Sequence, residues 1–289
     1  MADYQYGGQA VIEGVMMRGQ DSMAVAVRRP DGEIAIMTEN VNSYSRRWPV
    51  LGLPLLRGLV AMVEMVSLGT RALMFSANAT LEEEEEELTR GEMTLSLVVA
   101  FGLAILLFMV LPTFAIHWIK ELVGGSVMAN IAEGLIRVLV LVGYIFAISR
   151  MEDIKRVLEY HGAEHKVVHA SEAGVDLTPE NAEAFSSLHP RCGTSFLLFA
   201  VVVSVFVFAL FGWPGLWQRI LIRVALLPVV IGVSYEMIKA SSRFQGTVLS
   251  WVTWPGMTLQ RLTTGEPDRA QLEVAIAALE AARDTSPSE

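Results

Sequence analysis

Phe196-Leu-Leu-Phe-Ala-Val-Val-Val-Ser-Val-Phe-Val-Phe-Ala-Leu-Phe211 is the centre of a stretch, Cys192 to Gln218, that carries no charged residue over 27 positions. A helix of about 20 apolar residues crosses the hydrocarbon core of a bilayer. Met93 to Ile116 is likewise uncharged, over 24 residues. Both stretches predict transmembrane helices. Each is followed after a short break by a less apolar segment: Val127 to Ser149, which holds Glu133 and Arg137, and Ile220 to Lys239, which holds Arg223 and Glu236. The expected fold class is a mainly α membrane protein with four transmembrane helices in two hairpins. Glu133 precedes Arg137 by four residues, the favourable order for a helical ion pair that softens the cost of insertion. A charge inside a membrane helix is also a functional candidate.

The whole-chain averages agree. Of 289 residues, 53% are apolar and only 18% are charged, against about 25% charged in a typical soluble domain. The net charge of −9 leaves no basic surplus to hold nucleic acid by counterion release. The single cysteine, Cys192, excludes an intramolecular disulfide framework. Met1 to Tyr6 has neither a basic start nor an apolar run, so no cleaved targeting signal is expected.

Basic residues set the expected orientation. Arg46, Arg47, Arg57 and Arg71 precede the first span, and Arg150, Lys155, Arg156, Lys166 and Arg191 lie between the hairpins; the hairpin turns offer little beyond Lys120 and Arg219. Both termini and the central segment are therefore expected on the cytoplasmic side of a multi-pass protein of the bacterial inner membrane.

The remaining segments complete the expected organisation. Residues 1–47 form a β-rich segment, because Met23 to Arg29 and Glu33 to Thr38 flank the turn sequence Pro30-Asp31-Gly32. Residues 48–92 hold an amphipathic helix, with Arg57, Glu64 and Arg71 on one stripe, and a solvated acidic connector over 82–87. Residues 93–149 and 195–243 are the two hairpins, with a polar segment over 150–194 between them. Residues 244–289 combine an interfacial stretch carrying Trp251 and Trp254 with a C-terminal amphipathic helix from Pro267 to Arg283, expected to cap or pack.

Chemistry concentrates in the central segment. His161, His165, His169 and His189 fall within 29 residues, and His161 and His165 sit one helical turn apart in His161-Gly-Ala-Glu164-His165. Two imidazoles at that spacing can hold one metal ion. The order H-x-x-E-H is that of inverted zinc metallopeptidases, in which the glutamate activates water. His169 and Glu172 continue the same face, and His189-Pro-Arg-Cys192 adds an imidazole and the only thiol. Imidazole and thiolate are ligands that Zn²⁺, or another divalent transition metal, prefers. A second constellation is Gly7-Gly-Gln-Ala-Val-Ile-Glu13-Gly-Val-Met-Met-Arg18-Gly19, whose glycines suggest a shaped turn or loop. Its two charges, Glu13 and Arg18, either pair with each other or serve a site, Glu13 as base or metal ligand and Arg18 as a two-pronged oxyanion donor.

At Gly7 to Arg18, Tyr160-His-Gly-Ala-Glu-His-Lys166, His189-Pro-Arg-Cys-Gly-Thr-Ser-Phe196 and Gln271 to Ala277, the chain resembles the YqhQ-like family of bacterial integral membrane proteins, a domain of unknown function whose members are often labelled predicted metal-dependent enzymes. Position by position, the resemblance implies roles for Glu13, Arg18, His161, Glu164, His165, His189 and Cys192. The expected function is a membrane-embedded metal-dependent hydrolase with a zinc-type site at the cytoplasmic face and a lipid-linked or membrane-peptide substrate. Its metal ligands would be His161, His165 and either His189 or Cys192, with Glu172 and then His169 in reserve; Glu164 would be the base, and Arg18 or Arg191 would stabilise developing negative charge. The alternative is a non-enzymatic transporter or assembly factor in which His161, His165, His189 and Cys192 form a closed structural metal site. An intramembrane protease fits less well, because the H-x-x-E-H string follows a charged segment.

Overall fold

Strands β1 (Gly7–Val11), β2 (Gly14–Arg18), β3 (Ser22–Arg28) and β4 (Ile34–Asn40) form one antiparallel sheet in that order. Gly14 pairs with Val27 and Ser22 with Asn40. The Pro30-Asp31-Gly32 turn joins β3 to β4 as its residue types predict, with Gly32 at φ 91°. The segment expected to be a shaped turn or loop, 7–19, is a hairpin whose turn is Ile12-Glu13, Glu13 sitting in the left-handed region at φ 51°. Its second strand did not stand out because β2 is buried on both faces, so Val15-Met16-Met17 reads as a continuous apolar run without alternation.

The computed structural model describes residues 6–81, 88–190, 192–243 and 254–284. The acidic run 82–87, Arg191 and Trp251 lie outside the described residues. After the sheet come α1 (Tyr44–Arg47), a 3₁₀ turn (Pro49–Gly52) and α2 (Leu56–Ala79). Next, α3 (Arg90–Ile105) runs through a π-helical turn (Leu106–Val110) into α4 (Leu111–Val123), and α5 (Ser126–Ile148) follows. The π turn stands just before Pro112, whose ring cannot fit a regular α-helix against the carbonyl four residues back. Then come α6 (Glu152–Glu172), α7 (Pro179–Glu183), α8 (Gly193–Ala209), α9 (Leu216–Arg243), α10 (Trp254–Thr263) and α11 (Arg269–Asp284).

Among the described residues, four helices are long and apolar enough to cross a membrane: α2, the continuous helix Arg90–Ile119, α5, and the Leu216–Ala240 part of α9. The most apolar helix, α8, has 17 residues, ~26 Å of rise, a little short of the hydrocarbon thickness. Leu139, Phe206, Leu210 and Leu221, each at least 70% exposed, project outward from these helices. Such exposure of large apolar side chains is the reverse of a water-soluble core.

Helix α2 carries the expected charged stripe, and the stripe faces protein. Arg57 binds Glu236 on α9, Glu64 binds Arg18 on β2, and Arg71 binds Glu39 on β4. Gly58 packs against Gly232 and Tyr235 near the end of α9, while Leu68 and Ala72 pack on the sheet. Both ends of α2 are thus held at the end of the helical bundle where α6 lies, although its length and composition alone admit a crossing.

The sheet is a filling between two helical layers. Val11, Met16, Met23, Val25 and Val27 face α2. Val15, Met17, Ala24 and Ala26 face α6 and α11. Helix α11, expected to cap or pack, packs at the centre: Leu272, Ala275 and Leu279 are fully buried, and the Ser22 hydroxyl donates to the Ala282 carbonyl at 2.6 Å.

Candidate functional site: histidines and a cysteine on a cleft

Helix α6 is fixed against the sheet and α11 through Tyr160, Ala163 and Val167. The 3.6-residue period then turns His161, His165 and His169 together toward the segment before α8. His161, His165 and Cys192 offer ligand atoms that all lie within 4.8 Å of one another, and His169, Glu172 and His189 form a second such group. His161 Nε2 is 3.3 Å from Cys192 Sγ. The groups are neighbours, with the His165 and His189 rings 5.6 Å apart.

The rings of His161, His165 and His169 are each oriented by a backbone carbonyl, which can only accept. His161 Nδ1–H donates to Thr263 at 2.6 Å, and His165 Nδ1–H donates to Ser187 at 2.5 Å. Their Nε2 lone pairs are therefore the ones presented to the site. His169 donates through Nε2 to Leu188 at 3.0 Å, which leaves Nδ1 as its ligand atom. A second nitrogen tied to a backbone acceptor is the usual support of a metal-binding imidazole. Cys192 is the N-cap of α8, its sulfur accepting from Thr194 N–H at 3.4 Å.

Glu164 is buried between the two rings, with Oε2 4.0 Å from His161 Nε2 and 3.8 Å from His165 Nε2. Burial pushes its carboxyl above the ordinary range, while the nearby His161 and the Gly8 backbone N–H, which donates to it, oppose that rise. Gly8 is needed there because a Cβ would lie 2.6 Å from Met16 O and 2.7 Å from Glu164 Cγ. Gln260, fully buried on α10, accepts from His189 N–H at 2.9 Å and donates to the His189 carbonyl at 2.8 Å, locking that residue in place.

These groups open on a cleft of about 1010 Å³. Its floor holds His161, Glu164, His165, His189 and Cys192, and Arg18 and Glu64 lie on its wall. Its remaining lining is mixed: Met62, Met65, Leu97, Phe101 and Phe196 make an apolar part, and Gln9, Arg57, Thr70 and Lys239 a polar one.

The structure brings together His161, Glu164, His165, Cys192, His189 and Glu172 of the residues expected from the sequence, with His169 among them. It does not bring Glu13. That residue turns the β1–β2 hairpin and accepts from Arg156 and Tyr160. The Glu13 carboxylate holds the Arg156 guanidinium above its ordinary range, and burial raises the Tyr160 phenol. Arg18 reaches the cleft, but its guanidinium is held by Glu64 at 2.6 Å, and Ser43 and Tyr44 bind the same carboxylate. Glu13 and Arg18 do not pair because they occupy opposite ends of β2, ~16 Å apart along the strand. Arg191 lies outside the described residues. Sequence reasoning missed Gly8 as the neighbour of Glu164, Gln260 as the clamp on His189, and the α2 and α9 contributions to the cleft. A buried glutamine within the amphipathic pattern of 254–263 was the available signal for Gln260.

Residues 53–285 match the family described as a protein of unknown function, DUF1385. The chain belongs to this family. It is also 38% identical over 285 residues to the uncharacterized protein YqhQ of Bacillus subtilis (strain 168), covering 94% of this chain and 90% of that protein. No solved structure matches the chain. The DUF1385 match takes in every histidine and the cysteine of the cluster, whereas the β1–β2 hairpin with Gly8 precedes it.

Proposed function

We propose that the protein is a membrane-embedded, metal-dependent hydrolase whose site, at the cytoplasmic face, acts on a lipid-linked or otherwise membrane-associated substrate. The observation that carries this reading is the oriented triplet of His161 Nε2, His165 Nε2 and Cys192 Sγ on the floor of a cleft with a buried carboxylate beside it. Three protein ligands leave a position open, as catalytic sites of the zinc type require. A closed structural site would need His189 with the other three, and His189 instead groups with His169 and Glu172.

The donor set fits Zn²⁺ or a similar divalent transition metal: neutral nitrogen and sulfur ligands, each ring held by a carbonyl. Such an ion supplies Lewis acidity toward a substrate oxygen or toward water. Glu164 is the general base that takes a proton from water at the cleft floor, and burial, by raising its carboxyl, makes the ionised form a stronger base. The Glu164 position is set by Gly8 N–H, so the N-terminal hairpin contributes to the site by shape rather than by charge. The apolar wall from α2, α3 and α8 suits the chain of an amphiphile entering from the bilayer.

The membrane reading rests on the four long apolar helices and on their outward-facing leucines and phenylalanines. Two helical hairpins, α3–α4 with α5 and α8 with α9, with the sheet, α6 and both termini on the basic, cytoplasmic side, accord with the distribution of arginine and lysine.

Metal analysis of freshly purified protein tests the first step. Near-stoichiometric metal is expected in the wild type and its loss in His161→Ala and His165→Ala, with circular dichroism unchanged. Wild-type protein without metal, or variants that retain it, would overturn the proposal.

A further inference from the structure

At the end of the helical bundle away from α6, polar groups are buried for which the hydrolase reading has no use. Glu133 on α5 is the only buried acid there among the described residues, and it is surrounded by three guanidinium groups, Arg137, Arg219 and Arg223. All four side chains are at least nine-tenths buried.

The carboxylate is fully used. Arg137 Nη2 donates to it at 2.9 Å, the Thr113 hydroxyl at 2.8 Å, and Arg223 bridges both of its oxygens. Arg137 also donates to the Ser204 hydroxyl at 3.0 Å. Nothing is left for Arg219: its Nε, Nη1 and Nη2 are buried without a hydrogen-bond partner among the described residues, and the Nε atoms of Arg137 and Arg223 are in the same condition. One face of the Arg219 guanidinium is covered by the Trp213 ring at 4.1 Å, and the Phe208 ring lies under both Arg137 and Arg223. The aromatic contacts shield the cations without neutralising them.

Three cations against one anion leave two positive charges in an apolar setting, where an unpaired charge is costly. Arginine cannot escape by losing its proton. Its five N–H groups form a fork that matches the oxygens of a phosphate or carboxylate. Arg219 is in the first turn of α9, directly after the Gly212–Gly215 connection, and so lies at the end of the bundle rather than midway along it.

We propose that Arg219, with the free Nε edges of Arg137 and Arg223, forms a buried oxyanion-binding site at the α8–α9 end of the bundle, taking a phosphate group, either free phosphate or the headgroup of an anionic lipid. This site is independent of the metal reading, which concerns the opposite end of α5 and α8.

The test uses the full chain in nanodiscs of phosphatidylcholine alone or of phosphatidylcholine with phosphatidylglycerol, and follows thermal unfolding with inorganic phosphate against chloride at equal ionic strength. A ligand that binds only the folded state raises the unfolding temperature by mass action. For a free anion, phosphate stabilises the wild type saturably in phosphatidylcholine. For a lipid headgroup, phosphatidylglycerol stabilises it and phosphate adds nothing. In either case Arg219→Gln abolishes the effect while raising the ligand-free unfolding temperature, because an uncompensated charge is gone. Arg219→Lys, which keeps the charge and loses the fork, weakens binding about tenfold or more. The proposal is overturned if neither probe stabilises the wild type, or if both variants respond as the wild type does.

Discussion

The two polar centres of this molecule, at opposite ends of α5 and α8, solve the burial of polar groups in opposite ways. At the histidine end, the rings of His161, His165 and His169 each have one nitrogen spent on a named carbonyl and the other turned toward the cluster, and the backbone of His189 is clamped by Gln260. At the arginine end, hydrogen bonds saturate Glu133 and leave guanidinium edges without partners. The first arrangement is complete in its supporting shell and open at its centre, which is how a ligand site of defined geometry is built. The second is closed at its centre and unbalanced in charge. The contrast teaches that burial alone does not identify function: what matters is which valences the fold leaves over, lone pairs in one case and N–H groups in the other.

The comparison breaks most sharply at Glu133. Replacing it with Gln leaves three buried guanidinium groups without an acid, and the loss of one member of a buried ion network costs about 3–5 kcal/mol; folded protein recovered in detergent should fall steeply. A variant with wild-type thermal stability would show that solvent reaches the cluster and that its charges are not in fact confined. At the histidine end, Gln260→Ala removes hydrogen bonds to both backbone groups of His189, and buried groups left unsatisfied cost about 1–3 kcal/mol. Unfolding should occur at lower temperature, while the metal held through His161, His165 and Cys192 should be retained in the folded protein. Loss of that metal would mean that His189 belongs to the same centre. Gly8→Ala sharpens the comparison further, because the new methyl meets Met16 O and the Glu164 side chain. Overpacking of this kind costs about 1–3 kcal/mol, and hydrolytic activity should fall far more than metal content, since Glu164 moves and the ligands do not. Retained activity would remove Glu164 from the proposed chemistry. The smallest effect is expected at Arg269, whose pairs with Glu180 and Glu183 are exposed. Arg269→Ala should change stability by no more than about 0.5 kcal/mol, and a larger change in a urea titration would indicate that α7 and α11 are coupled more strongly than their surface contacts allow.

Local signals carried much of this architecture. Two uncharged runs and the two less apolar segments that follow them placed four of the apolar helices, the Pro-Asp-Gly turn placed the β3–β4 hairpin, and the one-turn spacing of His161 and His165 placed them on one face of α6. Signals failed where a residue's partner is distant in the chain. Glu13 and Arg18 look like a pair in sequence, yet Arg156 and Glu64 claim them once the hairpin is laid between α6 and α2. Helix α11 reads as an ordinary amphipathic segment, and only the sheet's second apolar face reveals why it is wholly enclosed. The extension of the Glu133–Arg137 pair to Arg223 and Arg219 was equally hidden, because i,i+4 reasoning stops at the boundary of one helix.

The enclosure of β2 and β3 bears on the order of assembly during synthesis. Ser22 and Ala282, joined by a hydrogen bond, are 260 residues apart. The sheet that presents Gly8 to Glu164 has one face against α2 and the other against α6 and α11, so on the ribosome α6 can cover part of that second face early, but its cover is complete only after every apolar helix has emerged. Until α11 follows, part of an apolar sheet face stays open to the surroundings, and the last helix of the chain is the one that seals the first strands.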